Sequence, residues 1–173
     1  MGVSQASKSF PAASHEIAPG VALSPVQPDE AAGLGALFSA IDPWARYPVT
    51  AAQLAAFFAA IEPGNPRFAI KRDGALIGAI GLRTNWFRGP YIQSFALAPS
   101  AQGQGIGSAA MAWVEAQARA AQDRNLWVAA SDFNTGAQRF YARNGFERIG
   151  AIDGLLQDGI AEILMRKRLY VAS

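Results

Sequence analysis

At 173 residues the chain has the length of one domain, and a 51% hydrophobic against 16% charged composition supplies a sizeable core and excludes a disordered polypeptide. With no cysteine and a single histidine, His15, it excludes disulfides, thiolate or multi-histidine metal sites and a cysteine nucleophile, so no metal is expected and catalysis has to run on carboxylates, tyrosine, hydroxyls or backbone groups. A net charge of +2 on scattered Lys and Arg is too small to imply nucleic-acid binding, so no nucleic-acid partner is expected, and the lack of a membrane-length apolar run or signal-peptide pattern leads us to expect a soluble cytoplasmic protein without membrane contact.

Residues 1–18 show no periodicity and read as a flexible arm, which makes residues 19–173 a single domain. A short strand is predicted at 21–23. Asp29 then takes a helix N-cap or first-turn position ahead of Leu34, Leu37, Phe38 and Ile41 at helical spacing, and Asp42-Pro43 ends that helix. Thr50 caps a second helix carrying Leu54, Phe57, Phe58 and Ile61, stopped by Pro63-Gly64. Strands over 67–72 and 75–82 flank Asp73-Gly74, a dipeptide suited to a tight hairpin turn. A further strand over 91–98 is closed by Pro99.

Between that strand and an amphipathic helix over 107–122 lies Gln102-Gly103-Gln104-Gly105-Ile106-Gly107. Glycines let backbone approach a ligand closely, and the first N–H groups of the following helix, with its dipole, favour an anion. No Gly-Lys-Ser/Thr follows, and the Gly-x-Gly-x-Gly spacing departs from the dinucleotide fingerprint. A pyrophosphate is the expected occupant, although the loop taken alone also reads as a plain strand-to-helix linker. A buried strand over 126–130, a short helix over 134–143 ended by Asn144-Gly145, and strands over 146–152 and 160–169 complete the chain. Helices that precede and interrupt a mostly antiparallel sheet make the class α+β.

The glycine loop with its preceding strand resembles the coenzyme-A loop of the GCN5-related N-acetyltransferase (GNAT) family. The run from Leu126 to Asn134, continued through Gly136, Tyr141 and Gly145-Phe146, resembles that family's second hallmark, in the right order. Spanning residues 20–169, the resemblance implies a GNAT fold, with a mixed, mostly antiparallel central sheet of about six to seven strands flanked by about four helices. It implies acetyl-CoA as the cofactor, its pyrophosphate held by main-chain amides of Gln102, Gly103, Gln104, Gly105, Ile106, Gly107 and Ser108. It further implies a bulge at the end of the 91–98 strand that frees the backbone of Phe95, Ala96 and Leu97 for the pantetheine arm. Asn134 is expected on the pantetheine, with helix capping as a compatible role, and Tyr141 contacts the cofactor as general acid for the departing thiolate.

An amine acceptor has to lose a proton, yet the 91–98 strand lacks the glutamate that many relatives carry there. Asp132 and Glu162 are the candidate bases, with a water-relaying carbonyl as a third route. Asp132 is also a natural turn residue, and Glu162, in an alternating strand, reads more readily as facing water. Trp44, Tyr47, Trp86 and Tyr91 form the candidate acceptor lining, with Arg46 or Arg88 available to a substrate carboxylate. The expected activity is direct transfer of an acetyl group to the primary amine of a small-molecule or amino-acid-like acceptor, since no cysteine offers a covalent route. Acetylation of a protein N-terminus or lysine, and a non-catalytic acyl-CoA-binding module, are the alternatives, and exposed sheet edges leave a homodimer open.

Overall fold

The computed structural model describes residues 10–170. In chain order the elements are β1 (His15–Ala18), β2 (Val21–Pro25), α1 (Ala31–Ser39), α2 (Ala51–Ala59), β3 (Arg67–Arg72), β4 (Ala75–Trp86), β5 (Gly89–Leu97), α3 (Ile106–Ala120), β6 (Asn125–Ser131), α4 (Thr135–Arg143), β7 (Glu147–Asp153) and β8 (Ala161–Arg168). Short 3-10 turns at Pro28–Glu30, Trp44–Arg46 and Pro99–Ala101 join some of them.

Local chemistry sets several of these boundaries. Asp73 and Gly74 hold φ of 49° and 82°, the tight turn that closes β3 onto β4. Thr50 accepts from the Gln53 N–H at 3.2 Å while Gln53 Oε1 accepts from the Thr50 N–H at 2.8 Å, a reciprocal cap that starts α2. Pro99 opens a 3-10 turn because its missing N–H cannot extend the β5 ladder.

The strands form one sheet in the order β1-β2-β3-β4-β5-β6-β8-β7. Every neighbouring pair is antiparallel except β5 with β6. Apolar side chains split between its faces. Phe68, Ile80, Ile92 and Val128 pack with α3 residues Ala110 and Val114, and Ala79 and Ala96 pack with Leu34, Phe38, Leu54 and Phe58 of α1 and α2. Each full burial of such a leucine or phenylalanine stabilises by roughly 1.5–3 kcal/mol. Helices α1 and α2 meet closely at Gly35, where a Cβ would run into the Ala51 carbonyl oxygen.

Part of the arm expected over residues 1–18 belongs to the sheet. His15–Ala18 pairs with β2, and the Phe10 ring stands 5.6 Å from Trp113 and 6.2 Å from Phe68. Residues 1–9 lie outside the described part of the chain. This extra edge strand brings the sheet to eight. Among the described residues, no helix is long and apolar enough to cross a membrane, and no group of three or more His, Asp or Glu is placed to hold a metal ion.

Candidate active site

The parallel pair is where the sheet opens. β5 and β6 are in register only at Tyr91 with Trp127 and Ile92 with Val128. Opposite β4 the register passes from Leu82 with Ile92 to Gly81 with Ser94, so Gln93 is a bulged extra residue, and a bulge bends its strand. The bulge therefore lies ahead of Phe95, where the sequence placed it at the strand end. The Ala98 N–H donates to the Ile77 carbonyl at 2.7 Å, which by strand alternation turns the backbone groups of Ala96 toward β4 and those of Phe95 and Leu97 toward the open side. Gln102 Nε2 donates to the Leu97 carbonyl at 2.9 Å and occupies one of them.

A cavity of about 770 Å³ fills this opening. Phe95, Ala96 and Leu97 form one wall, Gln102, Gly103, Gly105, Gly107 and Ser108 another, and Asn134 and Tyr141 a third. Gly105 is the N-cap of α3 at φ 81°, a left-handed conformation, and it offers the helix no side-chain cap. The first-turn N–H groups of α3 thus keep their hydrogen-bonding capacity. No atom lies within 4 Å of where a Cβ on Gly103 or Gly105 would point, so the loop presents an open face. Gln104 and Ile106 do not line the cavity. The Gln104 amide accepts from Arg72 at 2.5 Å and donates to the Ser100 carbonyl at 2.8 Å, and the Ile106 side chain belongs to the core.

Asn134 caps α4, its Oδ1 accepting from the Ala137 N–H at 3.1 Å, while it also lines the cavity. Tyr141 is buried among Phe140, Phe146 and the α3 core. Burial, and secondarily the neighbouring Tyr91, pushes its hydroxyl pKa well upward. The same side chain lines a second pocket, of about 100 Å³, together with Trp44, Tyr47, Tyr91, Ser131 and Glu162.

Glu162 faces this pocket, with 4% of its surface exposed, against the expectation that it faces water. The reason is topological. β8 runs between β6 and β7, Glu162 is in register with Ser131, and the chain following the Trp44–Arg46 turn lays Tyr47 over that face. Tyr47 Oη donates to Glu162 Oε1 and shares a 2.7 Å hydrogen bond with Ser131 Oγ. Its one proton being committed to Glu162, it accepts from the serine. Burial, then the bond to Glu162, pushes the Tyr47 pKa to about 12, and Tyr91 is pushed upward by burial and by Glu162.

Other candidates fall elsewhere. Asp132 lines neither cavity and serves the sheet instead, its N–H donating to the Ala161 carbonyl at 2.8 Å and its Oδ2 accepting from the Ala161 N–H at 3.4 Å. Trp86 is also outside both cavities, tilted against Tyr91 with ring centroids 5.2 Å apart. Arg46 pairs with Asp42 at 2.8 Å, and Arg88 forms the β4–β5 turn at φ 57°. Ser131, Ser94 and Leu156 line the small pocket and Arg143 the large one, none of them anticipated from sequence. The available signal for Ser131 was its place at the carboxyl end of a parallel strand, where open sheets bind ligands.

Comparison with known proteins agrees with this geometry. A family model described as the acetyltransferase (GNAT) family matches residues 34–146. Among solved structures, RimL, a ribosomal L7/L12 alpha-N-protein acetyltransferase, superposes at a TM-score of 0.74 with 16% identity, covering 90% of this chain and 94% of its own. Ard1 from Thermoplasma volcanium superposes at 0.72 with 16% identity over 88% and 99% of the two chains. An aminoglycoside 6'-N-acetyltransferase in complex with coenzyme A gives 0.68 with 14% identity over 87% and 98%. At these identities the likeness is one of fold. A search of curated protein sequences finds no match. Because the matched stretch begins in α1, runs through the glycine loop and the open parallel pair, and ends as β7 begins, the chain belongs to the GNAT family of acetyltransferases.

Proposed function

We propose that the protein moves an acetyl group from acetyl-CoA directly onto the primary amine of a small molecule. The observation that carries this reading is Tyr141, one side chain shared by the large cavity and the small pocket. Coenzyme A fits the large cavity on three counts. The open-faced glycine loop offers uncapped amides to a pyrophosphate, the unpaired side of β5 offers Phe95 backbone groups to an extended arm, and Arg143 adds a cation to the lining.

Bound acetyl-CoA supplies an acyl group activated as a thioester. The protein's own part is to order the acceptor and manage its protons. An alkylammonium with a pKa of about 10.4 has no lone pair, so Glu162 takes a proton from the acceptor nitrogen before it can attack. Glu162 hands that proton to solvent through the pocket mouth, so that as the C–N bond forms and the C–S bond breaks the regenerated carboxylate takes the second, now strongly acidic, proton from the nitrogen. Tyr141 Oη faces the growing negative charge on sulfur. Burial keeps this phenol neutral, which makes it a hydrogen-bond donor to the sulfur first and its proton source second. Tyr47 and Ser131 position the Glu162 carboxylate. The pocket's volume of about 100 Å³, covered by Tyr47, suits an amine head and favours a small acceptor over a protein tail.

Calorimetric titration with acetyl-CoA, followed by thiol release across a panel of free amines and peptides, tests this. Binding with release driven by free amines is expected. Release driven by peptides alone moves the acceptor to proteins, and binding with no release makes the chain an acyl-CoA-binding regulator.

A further inference from the structure

The pocket beside Glu162 carries one carboxylic acid and no basic side chain. Among the described residues that line it, no lysine, arginine or histidine accompanies the carboxylate. Two guanidiniums border the region and both are engaged. Arg83 Nε donates to Gln93 Oε1 at 3.2 Å, and Arg46 pairs with Asp42 at 2.8 Å while lying 4.5 Å over the Phe133 ring.

A carboxylate that is 4% exposed and held only by a phenol lacks the countercharge that burial demands. An arriving ammonium supplies it. The rings of Trp44, Tyr47 and Tyr91 in the same lining favour a cation on electrostatic grounds. A second observation points the same way. Ser94 lines the pocket and is 7% exposed, and its buried Oγ has no hydrogen-bond partner among the described residues, which leaves an unmet polar group in that wall. Phe95 and Leu156 extend the wall as apolar surface, Leu156 being 63% exposed. A carboxylate attached next to the reacting nitrogen would enter without a cation to meet it and would oppose Glu162 as a like charge.

We propose that the acceptor is a small primary amine with an apolar body and no carboxylate beside the reacting nitrogen. This rests on the acetyltransferase reading above and narrows it.

Phenethylamine and L-phenylalanine differ only by that carboxylate. Calorimetry of each on the full chain in the presence of coenzyme A reads binding alone, and thiol release under acetyl-CoA reads turnover. Phenethylamine is expected to bind about 30-fold or more tightly than phenylalanine. Glu162→Gln is expected to weaken phenethylamine binding by about 10-fold or more while leaving coenzyme A affinity in place. Leu156→Arg, adding a cation at an exposed position of the lining, narrows the preference toward phenylalanine. Equal or tighter binding of phenylalanine, binding of neither compound, or a Glu162→Gln variant with full phenethylamine affinity overturns the proposal. Should Glu162→Gln also lose coenzyme A, Leu156→Arg decides, and an unchanged preference overturns it. Selective phenethylamine binding without thiol release upholds the amine pocket and refutes the transfer reading.

Discussion

Two tyrosines in this site are neutral phenols with different work. Tyr141 sits at the junction of the two cavities, and its raised pKa keeps the proton on oxygen throughout the working range. Under the proposed transfer, Tyr141→Phe lowers turnover by about 100-fold or more, the usual range for a lost proton donor, with little change in acetyl-CoA affinity. Steady-state kinetics paired with calorimetry checks this, and unchanged turnover removes the tyrosine from the chemistry. Tyr47 instead holds Glu162. Removing its hydroxyl leaves a buried carboxylate oxygen without its donor, so Tyr47→Phe is expected to cost about 1–3 kcal/mol in urea unfolding at neutral pH. Its pKa also sets an alkaline window. The phenol titrates near 10 in the unfolded chain and at about 12 in the fold, so the folded chain keeps a proton that the unfolded chain gives up. That contribution is whole below pH 10 and lost as pH rises toward 12. The melting temperature of the parent chain therefore falls more steeply across this window than that of Tyr47→Phe, as thermal melts at stepped pH will read.

At the scale of elements, the cofactor cleft depends on a strand that leaves its neighbour and a helix that begins without a cap. Gly105→Ala puts a Cβ on a residue at φ 81° and points it into open cavity. The left-handed conformation costs about 1–2 kcal/mol with a side chain present. The expected result is a melting temperature lower by a few degrees and acetyl-CoA affinity reduced by about 10-fold or more, since the new methyl projects where the pyrophosphate would lie. Calorimetry on the variant checks the affinity. This loop was legible in the sequence because its signal is local, a glycine cluster between a strand and an amphipathic helix. The Asp73-Gly74 hairpin and the Thr50 cap were legible for the same reason. β1 was not, since the four residues His15–Ala18 carry little periodicity and their strand state comes from pairing with β2. Glu162 was misread because alternation along a strand says which residues share a face and not what covers it. Its cover is Tyr47, contributed from far earlier in the chain. Asp132, closer to the glycine loop and Asn134 in sequence, was drawn instead into the start of β8.

Across the whole molecule, the two sides of the cleft are tied together behind it. α3 starts at the glycine loop, β8 carries Glu162, and Glu115 of α3 joins them, accepting from Lys167 Nζ of β8 at 2.5 Å and from Arg119 at 2.7 and 2.9 Å. Arg119 in turn donates to the Leu169 carbonyl, just beyond β8. Burial alone would raise the Glu115 pKa, but the hydrogen bonds from Lys167 and Arg119 outweigh it and hold the carboxyl below its usual 4.5. A depressed folded pKa means that the unfolded chain binds the proton first as pH falls. The contribution is therefore whole above about pH 4.5 and lost as pH drops through the folded value. Because the network keeps contact with solvent, its worth is about 1 kcal/mol or less. Glu115→Gln should be less stable than the parent chain at pH 7 by that amount in urea titrations, and the gap should close as pH falls through the folded value of Glu115 and shrink in about 1 M salt, where surface ion pairs are screened. A gap that persists unchanged at low pH and high salt would mean that Glu115 holds α3 to β8 through packing of its methylenes, and the electrostatic tie between the two sides of the cleft would have to be abandoned.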